Sequence, residues 1–447
     1  LRIGRHDLAD GGRVGIETGR HHAQGDVPVG QDPDRLARLV HTAHALVLGG
    51  AVAWSVVFWL AGGALSGVLY GRADLAGFVL AMCLTSTLGV LAGMQLVCFR
   101  NQGRARAYMA YSTTSLVLET SLTLGLVVLG GAGVWGIPLG GLAGKAVVVT
   151  AAWVRLAHEL RPGFDRRLAG ELLEIGLPLT PRAVVGVADN GVDRLCLSWL
   201  ASLGQAGFYG LANRIGYSVF ALMTSLEQLY IPQLYRLMFR GGAAAGVEIG
   251  RYVGPYFYAS VLVAAAAVLF VEEALWVLVT PAFWPIKYVA AVLATYYGQL
   301  FFGKLVGAQW VYLKKTWYAT PVSAVRLVLH LCLTLALIGP LGALGAALAL
   351  LLAGAIVDGA CLVIAQRQYP IRYEWRLVAP VMLLLYASMS WTVLPAFVPV
   401  AYPVHLAGRL TLFGGLLAAG ARWREPLRVG VMALVRHERT ALRASAQ

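Results

Sequence analysis

Seven ionisable residues stand inside long apolar runs of this chain: Glu119, Lys145, Arg182, Glu227, Lys304, Arg326 and Asp358. A charge in hydrocarbon is costly unless it faces water or a partner, so each of these marks a cavity, a partner or both. Counted from the nearest basic loop at a rise of about 1.5 Å per residue, all fall roughly 10–15 Å deep, each on a different predicted helix. Four are cations and three are anions. Pairs such as Glu119 with Lys145, or Arg182 with Glu227, would fix helix packing without touching a substrate. Opposite-charge pairing cannot neutralise four cations with three anions, so the set points to a water-filled, basic cavity that moves an anion by alternating access.

A second group, Asp193, Arg194 and Arg214, falls near the other ends of the fifth and sixth predicted helices, where it could close as a salt-bridged gate. Arg182, Gly186, Asp189 and Asp193 share one face of the fifth helix by their spacing, and Arg326 and His330 share one side of the ninth. Arginine suits bidentate contacts to phosphate oxygens, and lysine a point-charge contact.

The elements that must hold these residues are membrane helices. Of 447 residues, 58% are hydrophobic and only 13% charged, against about a quarter charged in a soluble domain, which excludes an ordinary soluble enzyme. Apolar runs predict twelve spans, near 44–70, 75–98, 109–131, 133–154, 173–200, 207–234, 252–279, 286–312, 317–338, 341–366, 377–398 and 402–421. Alternate loops, with Arg35 and Arg38 before the first span and the six arginines from Arg422 onward, carry 23 Lys and Arg, whereas the other loops carry only Arg72. By the positive-inside rule the basic side is cytoplasmic, as are both termini. The net charge of +14 is therefore topological and gives no reason to expect nucleic acid. Trp135, Trp199, Trp276 and Trp284 at one side, and Trp153, Trp317, Trp375 and Trp423 at the other, fit interfacial belts.

Other motifs exclude more than they assign. Gly131–Gly136 spells G-x-G-x-x-G but has no strand before it, and Gly140–Ala146 lacks the spacing and hydroxyl of a P-loop, so no nucleotide motor is encoded. Five scattered cysteines without a C-x-x-C pair, and histidines without ligand spacing, predict neither a metal site nor a cofactor. Gly140/Gly144 and Gly303/Gly307 are G-x-x-x-G pairs that allow close helix approach. The short outer loops leave no room for the catalytic loop of a membrane glycosyltransferase or polymerase.

The stretch Phe164–Phe239 combines Asp165-Arg166-Arg167, Gly176-Leu177-Pro178-Leu179, Asp193-Arg194, Gly207-Phe208-Tyr209-Gly210-Leu211-Ala212 and Arg214-Ile215-Gly216. In this it resembles the polysaccharide biosynthesis or oligosaccharide flippase family (Wzx-type) of the multidrug/oligosaccharidyl-lipid/polysaccharide exporter superfamily, with a looser likeness over about 43–420. The resemblance implies an all-α, two-lobed exporter fold in a bacterial inner membrane. It implies translocation of an undecaprenyl-pyrophosphate-linked oligosaccharide to the outer leaflet. Arg182, Arg214, Lys304 and Arg326 would meet the anionic head; Asp189, Asp193, Arg194, Glu227 and Asp358 would form a gate or carry a coupling ion. Expected partners are the lipid-linked oligosaccharide, membrane lipids, and the polysaccharide polymerase with its chain-length machinery.

On this register residues 1–42 are a polar leader, 43–157 an incomplete first lobe of four spans, and 158–366 a second lobe of six. An appended helix pair (367–421) and a basic tail (422–447) follow. Two alternatives stay open: a multidrug or cation-coupled exporter of the same superfamily, which usually has an acidic cavity, and a truncated, non-functional homologue.

Overall fold

A computed structural model of the chain describes residues 33–70, 73–101, 104–157, 164–177, 180–421 and 423. Most of the leader, Arg72, Pro178, Leu179 and the tail apart from Trp423 lie outside the described residues, as does the side chain of Arg182. The described residues are helical with short connections and no strand. They divide into two compact units, Leu1–Glu174 and Ile175–Gln447.

The first unit contains α1 (Pro33–Tyr70), α2 (Ala76–Asn101), α3 (Ala105–Leu124), α4 (Gly136–Ala157) and, at its end, α5 (Arg166–Gly176). Leu48, Val52, Trp54, Trp59 and Leu60 on α1 are all exposed, the surface of a helix that meets lipid. Helices α3 and α4 pack tightly because of Gly140 and Gly144. A Cβ there would lie 2.5 Å from the Thr123 Cα or 2.8 Å from the Glu119 Cα. The false nucleotide motif is the turn between them, where Gly131 and Gly133 take φ of +62° and +54°. The amphipathic α5 is capped by Asp165, whose carboxylate accepts from the Arg167 N–H at 2.9 Å. The Asp165 N–H donates to Thr42 Oγ1 on α1 at 3.1 Å.

The second unit contains α6 (Thr180–Leu200), α7 (Leu203–Gly241), α8 (Gly246–Leu269), α9 (Val271–Leu278), α10 (Lys287–Tyr312), α11 (Ala319–Gln368), α12 (Trp375–Val393) and α13 (Tyr402–Ala419). Helix α10 is its axis. Its run from Val289 to Gln299 is buried throughout, as expected of a helix apolar on all sides. Helix α11 is a hairpin of two halves: Gly342 turns the chain with φ of +55°, just past Pro340. Gln205, in the first turn of α7, accepts from the Ala343 N–H at 3.3 Å and caps the second half.

Eight helical stretches among the described residues are long and apolar enough to cross a membrane, against twelve predicted spans. The difference has physical causes. The stretch Thr316–Gln368 joins two of the predicted spans across the hairpin. Helices α6, α7 and α13 carry Arg, Asp, Asn, Gln or His along their length, which lowers their mean hydropathy. The predicted span 252–279 remains one of the eight, as Gly246–Leu269, although the chain breaks at Phe270 between α8 and α9.

Candidate functional site

A cavity of about 500 Å³ opens between α6, α7, α10 and both halves of α11, and Asp189, Tyr296, Lys304, Arg326 and Asp358 are among its lining residues. Arg326 and Asp358, on opposite sides of the Gly342 turn, form an ion pair through Arg326 Nη2 and Asp358 Oδ1. Asp358 Oδ2 is buried with no hydrogen-bond partner among the described residues. One helical turn along α11, the fully buried His330 bridges α6: Nδ1 lies 2.9 Å from Asp189 Oδ1 and Nε2 lies 2.7 Å from Asp193 Oδ1. Imidazole donates from both nitrogens only when protonated, so this arrangement suits an imidazolium between two carboxylates. Tyr209 on α7 donates its hydroxyl to Asp193 Oδ2 at 2.5 Å.

Lys304 marks the other end of the cavity. Its Nζ lies 2.8 Å from Glu227 Oε2 and 5.1 Å from the centre of the Phe220 ring. A second cavity of about 430 Å³ is lined by Glu227, Tyr235 and Thr316 and shares Lys304, Gly303 and Gly307 with the first. The Lys304–Glu227 pair therefore stands where the two cavities meet. Gly303 and Gly307 line the cavity; a Cβ at Gly303 would lie 3.3 Å from Asp358 Oδ1 on α11, whereas Gly307 faces open space.

The sequence-predicted residues thus separate into groups. Asp189, Lys304, Arg326 and Asp358 line one cavity, with Glu227 beside it. Glu227 pairs with Lys304 on α10, as α7 and α10 pack side by side along the unit; the other expected partner, Arg182, has its side chain outside the described residues. Asp193 is taken by His330 and Tyr209, so the expected bridge with Arg194 or Arg214 is not formed; both arginines are exposed and make no ion pair among the described residues. In the first unit Lys145 Nζ meets Glu119 Oε1 at 2.9 Å. All three anions of the predicted layer are therefore used by Lys145, Lys304 and Arg326. Among the described residues no group of three or more His, Cys, Asp or Glu is arranged to hold a metal ion.

One charged cluster escaped the sequence reading. Arg409 on α13 is fully buried; its Nη2 lies 2.8 Å from Glu272 Oε2 and its Nη1 3.1 Å from Glu273 Oε2. Nη1 also donates to the Leu269 carbonyl at 3.0 Å, and Lys287 Nζ meets Glu272 Oε1 at 2.5 Å. The available signal was an arginine within the apolar run 402–421, facing adjacent glutamates within 252–279.

Fold and site together define a polytopic helical membrane protein of the flippase and exporter fold. The solved lipid II flippase MurJ in an inward closed conformation is similar at a TM-score of 0.64 and 11% identity, over 88% of this chain and 85% of that one. The Vibrio cholerae MATE transporter VcmN in its bent form is similar at 0.53 and 15%, over 77% and 82%. A mutant form of the same transporter gives 0.56 and 16%, over 74% and 79%. No curated protein matches the chain in sequence. Residues 28–238 match the model of a family described as polysaccharide biosynthesis protein.

Proposed function

We propose that this chain flips an undecaprenyl-pyrophosphate-linked oligosaccharide from the inner to the outer leaflet of a bacterial inner membrane by alternating access, with both termini cytoplasmic. The observation that carries this reading is the layer of ion pairs around a cavity at membrane depth, Lys304 with Glu227 and Arg326 with Asp358. The family match over residues 28–238 supports it.

At rest the cations are held by carboxylates. A pyrophosphate offers Arg326 a bidentate acceptor and Lys304 a doubly charged partner, and so competes with Asp358 and Glu227. Arg182 and Arg214 add positive charge for the same head. Carboxylates released in this exchange, with Asp189 and Asp193 around His330, take up the coupling proton or cation, and the bare Oδ2 of Asp358 is the most available acceptor. Arg194, next to Asp193 in sequence, belongs to the gate. The chain acts as a transporter with no covalent step, and its product feeds a polysaccharide polymerase and chain-length machinery.

The test is a strain that lacks its own flippase and accumulates lipid-linked oligosaccharide. Wild type should clear the accumulated lipid, and Arg182→Ala or Arg326→Ala should not; undiminished rescue by both variants rejects the mechanism. One observation favours a second reading, export of a cationic solute. The lining of the described cavity balances Lys304 and Arg326 with Asp189 and Asp358, so it is not basic in itself. Drug efflux without lipid-linked sugar clearance in that strain would select the second reading.

A further inference from the structure

The connection between α11 and α12, residues 369–374, is pinned from several sides. Gln366 donates through Nε2 to the Ile371 carbonyl at 2.8 Å and accepts from the Ile371 N–H at 2.7 Å. Gln309 Nε2 donates to the Tyr369 carbonyl at 2.8 Å, and the Tyr369 hydroxyl donates to the Gly242 carbonyl at 2.6 Å. The Arg372 N–H donates to the Gly246 carbonyl at 3.0 Å. A Cβ at Gly250 would fall 2.0 Å from the Arg372 carbonyl oxygen, so the loop lies directly on α8.

None of these bonds uses a guanidinium group. Arg367 and Arg372 are exposed, and neither side chain makes an ion pair or hydrogen bond among the described residues. Glu374, the nearest acid in sequence, pairs with neither. Both arginines line a groove of about 630 Å³ whose other walls include Leu362, Val363, Ile371 and Trp375. The groove is open to the outside, with Val363 54% and Trp375 48% exposed. Arg367 in the last turn of α11 also faces the negative end of the helix dipole, which accounts for one cation. It does not account for Arg372, which stands outside any helix, or for the apolar wall beside both.

Position narrows the occupant. The apolar stretch containing α11 ends at Gln368 and the next begins at Trp375, so the loop lies at the level of a membrane interface. We propose that this groove binds an anionic phospholipid, with Arg367 and Arg372 on the phosphodiester and an acyl chain along Leu362, Val363 and Trp375. Two uncompensated guanidinium groups favour a headgroup with net negative charge over a zwitterionic one. The site is separate from the ionic cavity and does not rest on the transport reading.

The experiment uses the full chain in nanodiscs of phosphatidylcholine with a minor share of phosphatidylglycerol, and counts retained lipid by mass spectrometry. The wild type should retain phosphatidylglycerol preferentially. Arg367→Gln with Arg372→Gln should lower that retention roughly 20–30-fold, the effect of two interfacial cations. Arg236→Gln with Arg240→Gln, exposed cations at the end of α7, should leave it unchanged. Brominated phosphatidylglycerol should quench wild-type fluorescence more than that of Trp375→Phe. Equal retention by wild type and the Arg367/Arg372 double variant overturns the proposal, as does equal retention of the two lipids. Displacement of the lipid by inorganic phosphate, but not by chloride at matched ionic strength, would show a free-anion site and overturn it too.

Discussion

Removing the Arg409 guanidinium should destabilise the second unit more than most single substitutions. Arg409 is fully buried between Glu272 and Glu273, with Lys287 on the far oxygen of Glu272. The four formal charges cancel, so Arg409→Met strands one carboxylate charge where Arg409 was its partner. Breaking a buried ion pair from one side costs about 3–5 kcal/mol. At about 2–4 °C per kcal/mol for a unit of this size, the unfolding midpoint should fall by roughly 6–20 °C. Adding Glu273→Gln leaves Lys287 and Glu272 as a balanced pair, so the double variant should recover most of the loss. The measurement is thermal unfolding in detergent followed by tryptophan fluorescence, with a double-mutant cycle to isolate the coupling. A single variant within about 1 kcal/mol of wild type would refute the reasoning, because ordinary surface changes fall in that range. So would a double variant no more stable than Arg409→Met alone.

Three further outcomes follow from the geometry. Gly144→Ala puts a Cβ 2.8 Å from the Glu119 Cα, whereas Gly307→Ala meets nothing within 4 Å; the first should cost about 1–3 kcal/mol of thermal stability and the second almost nothing. His330→Ala leaves Asp189 and Asp193 facing each other without their bridge, so stability should fall; His330→Gln with Asp193→Asn should recover stability but not lipid-linked sugar clearance. In a transport assay over a range of substrate concentrations, Arg214→Ala should raise the concentration needed for half-maximal flux. Arg326→Ala should instead lower the maximal rate, and identical behaviour of the two variants would show that paired and unpaired arginines do not differ in role.

Much of the fold was legible because the bilayer imposes strong constraints. Long apolar runs, broken by arginine-rich loops, located nearly every helix, and the gap between the predicted spans 317–338 and 341–366 fell next to Gly342, where α11 turns into a hairpin. Helical spacing also set faces correctly within one helix: Asp189 and Asp193 do reach a common partner. Spacing carries no information on which helix is the neighbour. Arg326 and His330 share a side of α11, yet one pairs with Asp358 within the hairpin and the other with α6. Arg409 was hidden for a different reason. Its partners sit at the break between α8 and α9, and nothing in the apolar run around Phe270 announces that break.

Pairing changes where an anionic substrate would find its attraction. Counted from the sequence, the layer of seven charges has a surplus of positive charge; in the structure Glu119, Glu227 and Asp358 each take one cation of that layer. His330 adds a third set of contacts that ties charge to opposite charge inside the second unit. A closed set of pairs attracts an anion weakly at a distance but responds strongly once one member is displaced, because the carboxylate left behind is then buried without a partner. Among the described residues of α6 and α7, the exposed Arg194, Arg214, Arg236 and Arg240 make no ion pair. On the proposed reading, attraction and switching therefore belong to different arginines: the exposed Arg214 adds positive charge for the pyrophosphate, and Arg326 couples its arrival to the release of Asp358.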